Sequence, residues 1–336
     1  MDYLVTGGAG FIGSHLVGQL LARGDRVRVV DDLSTGSLDN LAEVSGHPNL
    51  ETHVCSVTDV EAVLRLTRGA DRVFHLAASV GVELILARPL DSLMNNIRGT
   101  ETVLEACQLS GTKILITSTS EIYGKNGPQR LSEDADRHLG PTTRTRWSYS
   151  TGKAVDEIMA FCYWRERGVP AIVARLFNTV GPRQTGAFGM VIPRLVDQAL
   201  SGADLTVYGT GEQRRNFCHV ADTVAALLAL MEAEDAVGEV YNVGGREEVR
   251  IIDLARLIVR RTGSSSRIVV IPYAEALPEG YEDMQQRSPD TTKLEELTGW
   301  SPTKSLADIV GDVADHERLR LRTSALSGAR SVGPQG

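Results

Sequence analysis

Tyr149-Ser150-Thr151-Gly152-Lys153 sets a tyrosine and a lysine four positions apart, so on a helix both side chains fall on one face. An ammonium beside a phenol favours the phenolate, lowering a pKa that starts at about 10 toward the working range of a general base. Upstream, Ser118-Thr119-Ser120-Glu121-Ile122-Tyr123-Gly124 directly follows a β-branched run, Lys113 to Thr117. That is the carboxyl edge of a strand, where open α/β sheets present their ligands. A Thr119 hydroxyl there can hold a substrate alcohol against the tyrosine, with Ser120 and Glu121 beside it. Taken singly, the Ser/Thr cluster would serve equally as a turn or a helix cap, and Glu121 as a solvated acid.

A second constellation lies near the start of the chain, in Thr6-Gly7-Gly8-Ala9-Gly10-Phe11-Ile12-Gly13. Side chains at Gly7, Gly10 and Gly13 would block a tight strand-to-helix turn, the approach of a pyrophosphate to backbone N–H groups, and close packing of helix on sheet. A following strand, Val27 to Val30, ends at Asp31. A carboxylate there accepts hydrogen bonds from an adenosine ribose and repels a 2′-phosphate, so the pattern predicts NAD rather than NADP. Asp32 is the alternative ribose ligand. Asp59, after the expected third strand, is read either as an adenine contact or as a solvated loop acid.

These residues need a sheet to hold them. Short β-branched runs (Asp2–Thr6, Arg26–Val30, Arg72–Leu76, Lys113–Thr117, Ala171–Leu176) alternate with helical stretches (Gly13–Arg23, Leu93–Leu109, Tyr149–Arg167). That alternation predicts a doubly wound parallel α/β sheet of Rossmann type. After Gly181 the rhythm changes, with a helix over Ile192–Leu200 and a strand over Leu205–Tyr208 opening a smaller C-terminal α/β lobe. Asp222 to Asn242 reads as a helix and strand returning to the main sheet. The expected division is therefore a cofactor domain over 1–180 plus about 218–247, a substrate lobe over 181–217 and 248–321, and a frayed Ser/Gly/Arg-rich tail over 322–336.

Composition narrows the partners. With 35 Lys+Arg against 43 Asp+Glu the net charge is −8, which argues against nucleic acid while allowing local arginine clusters. Glycine, 33 of 336 residues, is in excess and calls for tight turns. The four cysteines (55, 107, 162, 218) lack disulfide-framework or metal spacing and read as buried small hydrophobes. The seven histidines are equally scattered, so no metal is expected and they are read as structural. Without a signal peptide or a long apolar run, the expectation is a soluble cytoplasmic protein with no membrane contact.

Together these motifs resemble the extended short-chain dehydrogenase/reductase family of nucleotide-sugar epimerases, dehydratases and decarboxylases, from about Tyr3 to about Asp315. Further matches are Leu76-Ala77-Ala78, Asn96-Ile97-Arg98-Gly99-Thr100, Arg175 to Arg183, Tyr208 to Phe217 and Arg287-Ser288-Pro289-Asp290. The resemblance implies an NAD site built from Gly7, Gly10, Phe11, Ile12, Gly13, Asp31 or Asp32, Asp59, Leu76, Ala77, Ala78, Asn96, Tyr149 and Lys153. It implies a substrate site of Asn178, Arg183, Val191, Tyr208, Gln213, Arg215 and Arg287, whose planar guanidinium groups suit a diphosphate. Thr119, Ser120, Glu121, Tyr149, Lys153 and Arg287 take the catalytic roles. Ser120-Glu121 after the threonine, Arg146-Trp147-Ser148-Tyr149, and Gly280-Tyr281-Glu282-Asp283 through Arg287 are similar to UDP-glucuronate decarboxylases, including UDP-xylose synthases. The implied reaction is NAD-dependent decarboxylation of UDP-glucuronate to UDP-xylose, or release of a UDP-4-keto-pentose. The alternatives are a UDP-glucuronate or other nucleotide-sugar 4-epimerase, a 4,6-dehydratase, and a non-catalytic NAD-sensing scaffold. A homodimer through the helices Leu93–Leu109 and Tyr149–Arg167 is expected by the same resemblance.

Overall fold

The computed structural model describes residues 1–80, 88–127, 129–186, 190–276 and 287–330. Seven parallel strands form one sheet in the order β11-β6-β5-β4-β1-β2-β3. They are β1 (Asp2–Thr6), β2 (Arg26–Asp31), β3 (Leu50–Val54), β4 (Arg72–His75), β5 (Lys113–Thr119), β6 (Ala171–Leu176) and β11 (Val240–Val243). β5 is buried along nearly its whole length because both neighbours and both faces are covered. Edge strand β3 instead exposes most of its residues. Strand order reverses between β1 and β4, and the crevice at such a switch point is where α/β sheets bind ligands.

Helices cover both faces, as parallel strands require. On one face Leu16, Val17 and Leu20 of the helix Phe11–Ala22 meet Val224, Leu227 and Leu230 of the helix Val220–Glu232. On the other, Val63, Val103, Leu104 and Ala160 come from the helices Val60–Thr67, Pro89–Ser110 and Ser148–Arg167. A separate core joins the helices Val191–Ser201, Ile251–Thr262 and Leu306–Arg330 to β8 (Leu205–Tyr208), through Leu195, Leu205, Leu254 and Val310. β8 pairs with β13 (Ile268–Ile271). β9 (Arg214–Asn216) pairs with β12 (Glu248–Arg250), and β7 (Thr179–Val180) with β10 (Cys218–His219). The chain thus leaves the main sheet after β6, begins the smaller core, re-enters beside β6 as β11, and then completes the smaller core with the helices Ile251–Thr262 and Leu306–Arg330.

Two sequence expectations need correction. The tail anticipated from Arg322 is helical as far as Arg330, because Ile309, Val310, Val313 and Ala314 anchor that helix and the Leu/Arg/Ala-rich turns after them favour its continuation. Residues 331–336 lie outside the described set. Of the four cysteines, Cys107 and Cys218 are buried, but Cys55 is half-buried and Cys162 is exposed. No helix among the described residues is long and apolar enough to cross a membrane. Nor do three or more His, Cys, Asp or Glu among them gather in a way that could hold a metal ion.

Candidate active site

The carboxyl ends of β1, β4, β5 and β6 open into a cavity of about 710 Å³ whose far wall comes from the smaller lobe. β1 delivers the glycine turn. Gly7 has φ +71° and lies so close to the chain after β4 that a Cβ would sit 2.7 Å from the Ala77 nitrogen. A Cβ at Gly13 would collide with the Gly7 carbonyl. The helix that follows starts at Gly10 with no side chain capping it, and Gly10, Phe11, Ile12 and Gly13 line the cavity. This is a cradle for a pyrophosphate, with backbone donors and the positive end of the helix dipole turned to the ligand.

Asp31 and Asp32 both line the cavity at the end of β2. Asp31 accepts from the Ala9 N–H through Oδ2 and the Leu33 N–H through Oδ1, each at 2.9 Å, which fixes the turn and leaves lone pairs for a ribose. Burial pushes its carboxyl up, and these backbone donors pull it back. Asp32 Oδ1 is engaged by the Ser34 N–H and hydroxyl. Leu76, Ala77, Ala78 and Asn96 complete this side, with Asn96 Oδ1 accepting from the Ser79 N–H at 2.7 Å. The acid expected near the adenine is elsewhere: Asp59 caps the helix Val60–Thr67, accepting from the Ala62 N–H at 3.1 Å, and is not in the cavity wall. Its neighbours Ser56, Val57 and Thr58 are. A cap is the role for which an Asp ahead of an amphipathic helix is best suited. The glycines, the half-open carboxylates and the uncapped helix together fit NAD.

At the centre of the wall stand Thr119, Ser120, Glu121, Tyr149 and Lys153. Thr119 ends β5 and caps the short helix Ser120–Tyr123, its Oγ1 accepting from the Glu121 N–H at 3.2 Å. Its hydroxyl can still donate one hydrogen bond. Glu121 Oε1 takes the Arg287 guanidinium at 2.5 Å, and the same guanidinium donates to Asn178 Oδ1 at 2.7 Å. Arg287 is buried, so this is a paired cation held in the cavity wall. Tyr149 keeps part of its surface open to the cavity but is otherwise enclosed. That enclosure, and then the charges of Glu121 and Asp156, push its phenol above the ordinary range. Burial and these carboxylates, rather than a lowering by Lys153, set the direction, and the Lys153 ammonium is bound at 2.8 Å by Asp156, one turn along the same helix face.

The remaining substrate candidates, Arg183, Val191, Tyr208, Gln213 and Arg215, share the same cavity. Gln213 donates to the Tyr208 carbonyl at 2.8 Å. Arg183, with φ +69°, reaches Glu43 at 2.9 Å across the cofactor side of the cavity. Arg194 stacks over the Tyr208 ring at 4.3 Å and lines the wall, as do Ser34, Thr35, Ser37 and Asn40 of the loop after β2. None of these was singled out from sequence; the Ser/Thr/Asn run directly after Asp31 and Asp32 was the available signal. The part of the decarboxylase similarity that falls on residues 280–286 lies outside the described residues.

A glycine cradle at the switch point of a parallel sheet, with a hydroxyl, a tyrosine and a lysine at the neighbouring strand end, defines a dinucleotide-dependent oxidoreductive enzyme of Rossmann type. Residues 3–244 match the NAD dependent epimerase/dehydratase family, and the chain belongs to it. It is 40% identical over 303 residues to the UDP-N-acetyl-alpha-D-glucosaminuronate decarboxylase of Bacillus cytotoxicus, covering 90% of this chain and 93% of that one. It is 37% identical over 322 residues to UDP-glucuronic acid decarboxylase 1 of Xenopus tropicalis, covering 96% and 73%. The solved UDP-glucuronic acid 4-epimerase of Bacillus cereus, in complex with UDP-glucuronic acid and NAD, superposes with a TM-score of 0.86 at 28% identity over 95% of this chain and 100% of that one.

Proposed function

We propose that this protein is an NAD-dependent decarboxylase of UDP-glucuronate. The observation that carries this reading is the Glu121–Arg287 pair in the wall that also holds Thr119 and Tyr149, an acid and a cation beside an alcohol-oxidising group. The decarboxylase names of relatives that cover nearly the whole chain support it. When bound, NAD supplies the two-electron oxidation of the sugar C4 and its reversal.

The chain's own residues do the rest. Tyr149 takes the C4 hydroxyl proton while Thr119 donates to that oxygen. Oxidation makes a β-keto acid, whose C5–C6 bond breaks with loss of CO₂ as the electron pair passes into the C4 carbonyl. Tyr149, now protonated, and Thr119 donate to the resulting enolate oxygen. Ser120 and Glu121 order the proton that returns to C5, and Arg287 contacts the substrate near C6. Asn178, Arg183, Val191, Tyr208, Gln213 and Arg215 bind the nucleotide diphosphate. Reduction at C4 then yields UDP-xylose; escape before it yields a UDP-4-keto-pentose.

A second substrate, UDP-N-acetylglucosaminuronate, is favoured by the relative from Bacillus cytotoxicus. The steps are the same, since the C2 substituent takes no part in chemistry at C4, C5 and C6. On this reading residues 1–180 with about 218–247 hold the cofactor and 181–217 with 248–321 the substrate, in a cytoplasmic homodimer. Incubation with each nucleotide sugar and NAD, followed by product mass, tests the reading. A product lighter by one CO₂ supports it, and UDP-galacturonate of unchanged mass would sink it in favour of a 4-epimerase.

A further inference from the structure

Lys153 is bound by a carboxylate that the Tyr-Lys spacing does not include. Asp156 lies three positions on along the helix Ser148–Arg167, its Oδ2 is 2.8 Å from Lys153 Nζ, and the two side chains are 0% and 3% exposed. We infer that Asp156 is a positioning residue: it anchors and neutralises the Lys153 ammonium, and so governs how readily Tyr149 gives up its proton. The inference rests on the reading of Tyr149 as the base and concerns the same site.

Among the described residues, three carboxylates around Tyr149 are each held by a cation. Glu121, from the turn after β5, is held by Arg287 at 2.5 Å; Glu157, next to Asp156, is held by Arg175 of β6 at 2.8 Å; and Asp156 is held by Lys153. His75 of β4, the other titratable group facing Lys153, is bonded to the Thr6 and Thr100 hydroxyls. Burial and the lysine hold it down at about 3, so it stays neutral and adds no cation. Burial raises the Asp156 carboxyl while the ammonium and the Thr100 hydroxyl pull it back. Among the described residues these pairs leave no surplus positive charge to stabilise a phenolate, and the Asp156 carboxylate opposes its formation. Ionising Tyr149 requires Lys153 to share its three donors between carboxylate and phenolate. With Asp156 made neutral, the phenolate becomes the counter-ion that a buried ammonium requires.

The test is a spectrophotometric titration of the phenolate band in the full-length chain, with Tyr149→Phe subtracted, so that no substrate is needed. Asp156→Asn and Asp156→Ser should lower the Tyr149 ionisation by roughly one pH unit, at the small end of what a nearby charge does. The acid limb of kcat/KM should move down with it, and Asp156→Glu should restore the wild-type position. A structural role alone would lower thermal stability and leave the ionisation where it is, which would overturn the inference. If neither neutral variant folds, the wild-type titration still decides: ionisation at or below the ordinary phenol value of about 10 would mean an uncompensated lysine and would overturn it. A chain that titrates as expected yet turns over no nucleotide sugar would uphold the inference and sink the proposed function.

Discussion

Glu121 and Arg287 stand 166 positions apart in sequence, yet they share a hydrogen bond in the wall of one cavity. At the residue scale this pair separates the steps of the proposed reaction, because Tyr149 acts at oxidation and Glu121 after it. Tyr149→Phe should therefore lose about 10²- to 10⁴-fold in kcat with no reduced cofactor formed. Glu121→Ala should still oxidise the sugar, accumulate reduced cofactor absorbance in a single turnover, and stall there; equal loss of both phases would refute the division. Gly13→Ala drives a methyl group into the Gly7 carbonyl and forces the turn backbone to shift, so NAD affinity by calorimetry should fall at least tenfold. The residues legible in sequence were those whose chemistry depends on local spacing: the glycine turn, Asp31, Thr119 and the Tyr149/Lys153 pair. Asp156 escaped notice because a carboxylate three positions from a lysine on a helix is ordinarily a surface pair, and only burial gives it weight. Asp59, read either as an adenine contact or as a loop acid, is a helix cap, the local use that an acid before a helix has.

At the scale of elements, strand alternation was readable because the central strands carry short β-branched runs such as Ile114 to Thr117 and Ala171 to Val173, whereas the pairings that lock strands to helices are not local. His75 ties β4 to β1 through Thr6 Oγ1 at 2.8 Å and to the helix Pro89–Ser110 through Thr100 Oγ1 at 3.1 Å. Its folded-state value near 3 lies below the ordinary imidazole value of 6.5, so below that ordinary value the unfolded chain takes up a proton that the folded one refuses. Its contribution is complete above pH 6.5 and is lost as pH falls from 6.5 toward 3, by about 1.4 kcal/mol per pH unit. Urea unfolding of His75→Gln should show a correspondingly flatter decline over that window; parallel wild-type and variant curves would contradict it. Arg175, by contrast, binds Glu157 and the Tyr123 hydroxyl beneath the site, linking β6, the helix Ser148–Arg167 and the turn after β5. No periodicity in sequence reveals such a junction. The residues after Arg322 were read as a tail because their composition resembles that of a loop, while the anchor of the helix that contains them lies earlier, at Ile309 and Val313.

Across the whole molecule, a chain of net charge −8 gathers Arg183, Arg215 and Arg287 on one cavity, the local cation cluster that the proposed diphosphate binding requires. The helices Pro89–Ser110 and Ser148–Arg167 pack on each other and leave Leu109 and Ile158 exposed at 75% and 59%. The proposed homodimer would cover that face, so sedimentation should give twice the chain mass, and Ile158→Glu should shift the protein toward monomer. The glycine excess is explained at Gly7 and Gly13 by the cofactor turn, where backbone approaches backbone too closely for any side chain. The central claim, that C4 oxidation is used to expel the C6 carboxylate, is tested most directly by supplying NAD and UDP-glucuronate labelled at C6 and trapping released CO₂. The account requires one labelled CO₂ for each UDP-pentose formed. Label retained in a UDP-hexuronate epimer, with none in the trap, would contradict it.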